Sequence, residues 1–196
     1  WISGRILAIA DSHGFELRWL PSMGLMARRQ GRILACSPQV ERMVTLDRSG
    51  PQLVSVEKGL FQPIEMEGQS PDQGPLLAAF DPSGQQLALL LPSGHLAGLD
   101  ENHRAIVQAW PTGIDGHQHA KCLALAGDGA LVIGFANGTV RSYNFKSQKV
   151  EFAVRLAQAP SALEIHAAGD RIIARTVGGG FFLLSRAGEV LLSGDG

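Results

Sequence analysis

The sequence predicts an all-β chain built from a repeated strand–turn–strand unit, and three observations lead there. The 196 residues include 24 glycines but only 6% aromatics. Apolar residues, 45% of the total, fall in short runs broken by polar turns, as in chains with many strands. One plan, a Gly-containing turn, a strand, a turn, a strand and a polar stop, returns along the chain.

The first sign of the repeat is Gly4-Arg5-Ile6-Leu7-Ala8, echoed by Gly31-Arg32-Ile33-Leu34-Ala35. The second unit runs from Gly31, turns at Ser37-Pro38-Gln39 and stops at Asp47. The third opens at Asp81-Pro82-Ser83-Gly84, turns at Pro92-Ser93-Gly94 and stops at Asp100. The fourth opens at Gly127-Asp128-Gly129, turns at Ala136-Asn137-Gly138 and stops at Asn144. The fifth opens at Ala168-Gly169-Asp170, turns at Gly178-Gly179-Gly180 and stops at Ser185.

The opening glycines Gly31, Gly84, Gly129 and Gly169 follow one another at 53, 45 and 40 residues. A period of ~40–45 belongs to a four-stranded propeller blade. Turns between paired strands need φ > 0, which Gly and Asn supply at low cost, so hairpin turns are expected at 11–14, 37–40, 92–95, 136–138 and 178–180. Leu87, Leu89, Leu131, Ile133, Ile172 and Ala174 occupy alternate positions on one strand of their units and are expected in the core. Residues 74–196 read as three regular units. Residues 1–73 read as degenerate ones: Gly4 to Gly31 is short for four strands, and 51–73 reads as an insertion with strand-like runs at 53–56 and 60–67.

The fourth unit resembles a WD repeat. It has Gly116-His117, the Asp128-Gly129 turn, then Asn137-Gly138-Thr139-Val140 and an aromatic–polar Tyr143-Asn144 end, in family order. The third resembles it next, through Phe80-Asp81-Pro82-Ser83-Gly84 and Leu99-Asp100, and the likeness covers 74–194. No unit has the family's Trp-Asp pair, and one has Gly-His at the family's position. The resemblance implies an all-β propeller of WD-repeat type, a partial or small ring of about 4–5 blades where the family most often has seven. It implies a non-catalytic scaffold in a larger assembly, without cofactor or metal, that binds a protein partner or a second copy. Exposed sheet edges and an uncovered apolar flank would demand such a partner. The alternative reading is a small-molecule or metal-binding propeller, enzymes included, with its site in the central channel. Because the sequence starts at Trp1 and not at Met, it is expected to be part of a longer or processed chain, and the lack of a leader says nothing about compartment.

A net charge of −1 gives no pull toward nucleic acid or an anionic membrane, and no apolar run approaches the ~18 residues of a membrane span. The densest basic spot, Arg28, Arg29 and Arg32, reads as a solvated sheet edge. Cys36 and Cys122 lie in apolar runs and read as free buried thiols. His117 and His119 have the i, i+2 spacing of a ligand pair, but only Asp115 is near to complete a set. Ser93, His95 and Asp11 offer the residue types of a triad without a nucleophile elbow. The acidic turns at Asp81 and Asp128 lack the alternating carboxylates of a calcium loop. The expected working surface is a rim of turns and unit-entering loops that carries His13, Gln39, Ser93, His95, Asp115, His117, His119 and Asn137. Arg48 and Lys146 are expected on the opposite face.

Overall fold

The computed structural model describes residues 2–3, 6–10, 14–20, 22–37, 42–55, 58, 60–66, 76–99, 104–108, 119–144, 147, 149–165 and 170–195. These residues form β-strands and turns, with no α-helix among them. The strands assemble into five sheets, each with four antiparallel strands in chain order.

The first sheet holds β1 (Ile2–Ser3), β2 (Ile6–Ala10), β3 (Phe15–Trp19) and β4 (Leu25–Arg29). The second holds β5 (Arg32–Cys36), β6 (Arg42–Asp47), β7 (Gly50–Ser55) and β8 (Leu60–Pro63). A two-residue strand, β9 (Glu65–Met66), precedes the third sheet of β10 (Leu77–Phe80), β11 (Leu87–Leu90), β12 (Leu96–Leu99) and β13 (Arg104–Gln108). It joins that sheet's outer edge, parallel to β13. The fourth sheet holds β14 (Ala120–Leu125), β15 (Ala130–Phe135), β16 (Thr139–Asn144) and β17 (Lys149–Arg155). The fifth holds β18 (Pro160–Ile165), β19 (Arg171–Thr176), β20 (Phe181–Ser185) and β21 (Val190–Gly194).

Most of the tight turns share one construction. In Leu91-Pro92-Ser93-Gly94 the Gly94 N–H donates to the Leu91 carbonyl, and Leu91 N–H donates to the His95 carbonyl, both at 2.9 Å. The same i+3 bond closes the turns that end at Gly84, Gly129, Gly138, Gly179 and Gly188. The closing glycines have φ between 73° and 89°. This is a type I turn followed by a left-handed residue, which matches the twist of paired strands and strongly favours Gly. The expected turns at 92–95, 136–138 and 178–180 are thus present, each between the second and third strands of its sheet. Residues 11–13 and 38–40 lie outside the described residues. The strands that flank them pair antiparallel, Ala10 with Phe15 and Cys36 with Met43.

The expectation for residues 1–73 is corrected. Their described residues hold two complete four-stranded sheets, so neither sheet lacks a strand, and the extra strand is β9, which joins the third sheet. The first fits between Ile2 and Arg29 because β1 has only two residues. Of the runs at 53–56 and 60–67, residues 53–55 and 60–63 lie in the third and fourth strands of the second sheet, with Val54 paired to Phe61, while 65–66 form β9. The echo at Gly31 is out of phase, since Gly31 precedes a first strand whereas Gly84 and Gly129 precede second strands. The second strands begin at Ile6, Arg42, Leu87, Ala130 and Arg171, which removes the 53-residue interval.

The chain divides into two compact units, 1–109 and 110–196. In the first, the period-2 alternation of β6 serves two layers. Met43 packs with Ala8, Phe15 and Leu17 of the first sheet. Val44 packs with Leu87, Leu89 and Leu91 of the third. In the second unit, Cys122, Ala124, Val132 and Val140 of the fourth sheet meet Leu163, Ile172, Ala174 and Leu184 of the fifth. All six core positions expected from the alternation are buried. Every residue of β15 is buried, so both its faces are covered. β19 alternates exposed and buried residues, so one of its faces is open.

Candidate interaction rim

Within the second unit, the turns and links at one end of the two sheets are tied together by backbone bonds. The Ala136 N–H donates to the His119 carbonyl at 2.9 Å, which fixes the segment before β14 against the β15–β16 turn. In that turn the Asn137 side chain accepts from the Thr139 N–H at 2.9 Å, the local bond for which Asn is chosen in turns. Leu156 N–H donates to the Gly138 carbonyl at 2.8 Å, which brings in the link between the sheets. The Thr176 hydroxyl then donates to Gln158 Oε1 at 2.9 Å and anchors the link to the β19–β20 turn. A shallow cavity of about 170 Å³ opens there, lined by Gln158, Thr176, Gly178, Gly180, Phe182 and Asp195 among others. Gln158 in its lining is exposed, as are His119 and Asn137 in the neighbouring segments, and Val177 is 77% exposed.

The opposite end of the same two sheets is built differently. Arg186, in the β20–β21 turn, reaches the fourth sheet and bonds Asp128 Oδ2 at 2.9 Å, with Glu151 at 3.8 Å. Glu151 in turn accepts from the Ser142 hydroxyl at 2.8 Å and from Asn144 Nδ2 at 3.2 Å. These charges are used to hold the sheets together.

In the first unit, Ser93 and His95 share the β11–β12 turn, with Ser93 Oγ 3.1 Å from His95 Nδ1. The pair is an exposed contact between residues two apart. A nucleophile needs a base that is itself oriented by a third group, and Asp11, the third member considered, lies outside the described residues. Glu16 pairs with Arg28 and, at 2.6 Å, with Arg18, which hold its carboxyl below the usual range. Arg29 stacks over the Phe61 ring at 4.7 Å. Two of the three arginines of the basic spot are therefore engaged with other side chains. A surface hollow of about 640 Å³ lies beside them, lined by Ile9, Glu16 and Arg28 among others.

Among the described residues no three His, Cys, Asp or Glu side chains gather as a metal site. Asp81 spends its carboxylate on its own turn. It accepts from the Ser83 hydroxyl at 2.5 Å and from the Gln86 N–H at 2.7 Å. Burial would raise its pKa, but these bonds hold it below 3.8. The thiols are free, and burial pushes both Cys36 and Cys122 up to about 11.

Of the eight rim residues expected from sequence, His13, Gln39, Asp115 and His117 lie outside the described residues. Ser93 and His95 come together in the first unit, and His119 and the Asn137 turn in the second. Sequence reasoning missed Gln158, Thr176 and Val177. The signal was available, because the link from a fourth strand to the next first strand ends where second-to-third turns lie. Arg48 was misassigned: it sits in the β6–β7 turn, the same class of turn as that of His95. The strands that flank Gln39 in sequence, β5 and β6, are by contrast the first and second of their sheet. Lys146 lies outside the described residues.

Successive four-stranded antiparallel sheets, each packed face to face on the next within its unit, define a β-propeller. A solved structure of this fold, the β-propeller domain of Myceliophteria thermophila Cps50 (Swd1), matches 98% of this chain and 69% of its own, with a TM-score of 0.68 and 12% identity. At that identity the likeness shows the fold alone. No protein-family model matches the chain. No curated protein matches it either.

Proposed function

We propose that the chain is a single propeller domain of WD-repeat type and that it works as a non-catalytic protein-interaction module within a larger assembly. The observation that carries this reading is the rim of the second unit. Its segments are tied together by two backbone hydrogen bonds and by the side-chain bonds of Asn137 and Gln158, while His119, Asn137, Gln158 and Val177 are exposed on its surface. Loops on a rigid scaffold are where recognition residues concentrate. The cavity there is too small to enclose a typical ligand, for which ~300–1,000 Å³ is usual. The WD-repeat assignment rests on the residue order of the fourth unit. The Asn137-Gly138-Thr139-Val140 segment forms the hairpin that this order implies. No helix in the structure is long and apolar enough to cross a membrane.

The test uses two charge sets in the second unit. His119→Glu with Asn137→Asp alters the rim and keeps an acceptor for the Thr139 N–H. Ser147→Glu with Ala187→Glu alters exposed turns at the other end. Size-exclusion chromatography with light scattering measures any protein that copurifies in stoichiometric amount. The rim set should remove that partner and the other set should keep it. The reverse result, or a lone monomer in every case, refutes the proposal.

A further inference from the structure

The second and third strands of the third, fourth and fifth sheets align through their shared turn, and the alignment marks equivalent positions. Counting from the turns at 91–94, 135–138 and 176–179, Ala88, Val132 and Ile173 are counterparts, as are Leu96, Val140 and Phe181. Val132 and Val140 are fully buried because the fifth sheet covers them. Ala88 and Leu96 are buried as well. Ile173 and Phe181 are 38% and 39% exposed.

The open face of the fifth sheet is nonetheless composed like an interior one. Ile173 pairs with Leu183, and Leu183 with Leu192, which makes an apolar row across three strands. Arg175 sits 3.9 Å from Glu164, so the charges beside the row offset each other. The corresponding face of the fourth sheet, with Val132, Val140 and Phe152, is the one that packs on the fifth sheet. An apolar patch of this kind marks a surface made to be covered.

We propose that the Ile173–Leu183–Leu192 face is the docking surface for a further four-stranded propeller blade, carried by the same polypeptide outside these 196 residues. Two observations select that occupant. The same positions in the preceding sheet are covered by a blade. And 98% of this chain accounts for only 69% of the matched propeller domain, so about a third of that single-chain propeller has no counterpart here.

The experiment places a thiol on the face. Ile173→Cys, and separately Leu192→Cys, are made in the 196-residue chain and in the entire polypeptide that its gene encodes. Maleimide labelling rates are compared under native conditions, with Ser147→Cys as an exposed reference. The native thiols, Cys122 buried and Cys36 half-buried, both have their pKa pushed up to about 11 and supply only background. Cys at 173 or 192 should react like the reference in the 196-residue chain and at least about tenfold more slowly in the entire polypeptide, since reactivity follows access. Equal rates in the two overturn the proposal. So does protection in the 196-residue chain accompanied by a doubled mass in light scattering, which would give the face to a second copy. So does a gene that encodes no further repeat of this kind.

Discussion

Ile133→Ala should cost this protein about 4 kcal/mol. The side chain is fully buried in β15, paired across to Leu123 on one side and Arg141 on the other. The substitution removes three carbons, worth about 2.4 kcal/mol at about 0.8 kcal/mol for each buried CH₂. A residual cavity of about 60–80 Å³ adds about 1.5–2 kcal/mol at about 24 cal/mol per Å³. Little of that cavity can close, because every residue of β15 is buried and its backbone is held by β14 and β16. Thr139→Ala is the control. Thr139 is half-buried at the start of β16, and its backbone N–H bond to Asn137 survives the change, so the cost should stay below about 1 kcal/mol. In a chain of this length each kcal/mol moves Tm by roughly 2–4 °C. Ile133→Ala should therefore lower Tm by about 8–16 °C, and Thr139→Ala by a few degrees at most. Calorimetry or urea unfolding decides it, and equal shifts for the two variants would refute the strand register.

Other outcomes follow from the same geometry. Gly138→Ala should destabilise, since φ is +86° and a Cβ would lie 2.7 Å from the Leu156 carbonyl oxygen. Gly24→Ala, which meets only the Ser22 hydroxyl at 3.5 Å, should be mild in the same melting assay. The folded-state pKa of Asp81 is depressed, so its contribution to stability is present above the unfolded value near 3.8 and is lost as pH falls through the lower folded value. Urea unfolding of the wild type should weaken over that acidic window, and Asp81→Asn should remove that part of the pH dependence. Cys36 and Cys122, with pKa values near 11, should react with iodoacetamide at pH 8 far more slowly in the folded chain than in 6 M guanidinium. Fast labelling of Cys122 in the folded chain would contradict its burial and its contact with the Pro160 carbonyl.

The parts of this fold legible in sequence are those set by short-range chemistry. A left-handed fourth residue in a tight turn calls for Gly, so the turns at Gly84, Gly94, Gly129, Gly138, Gly179 and Gly188 can be read directly. Alternation within a strand is equally local, which is why Leu89, Ile133 and Ala174 were found as core. Which strand of a blade a given hairpin supplies is a different kind of fact. It depends on which strands lie beside it, and pairing partners can be distant in sequence. Gly31-Arg32-Ile33-Leu34-Ala35 looks like Gly4-Arg5-Ile6-Leu7-Ala8, yet one opens a first strand and the other a second, because only tertiary pairing sets the phase. That misphasing placed Arg48 on the wrong face and made the last two strands of the second sheet look like part of an insertion. The parallel addition of β9 to β13, with Glu65 paired to Arg104, joins residues 39 apart with no shared turn to announce them. The reach of Arg186 to Asp128 spans 58 positions and depends on how two sheets face each other. Sequence by itself determined the repeat, its turns and its buried alternation. The tertiary structure decided the phase of each blade, which loops share a rim and which apolar face is left uncovered, because these follow from packing between sheets whose residues are far apart in the chain.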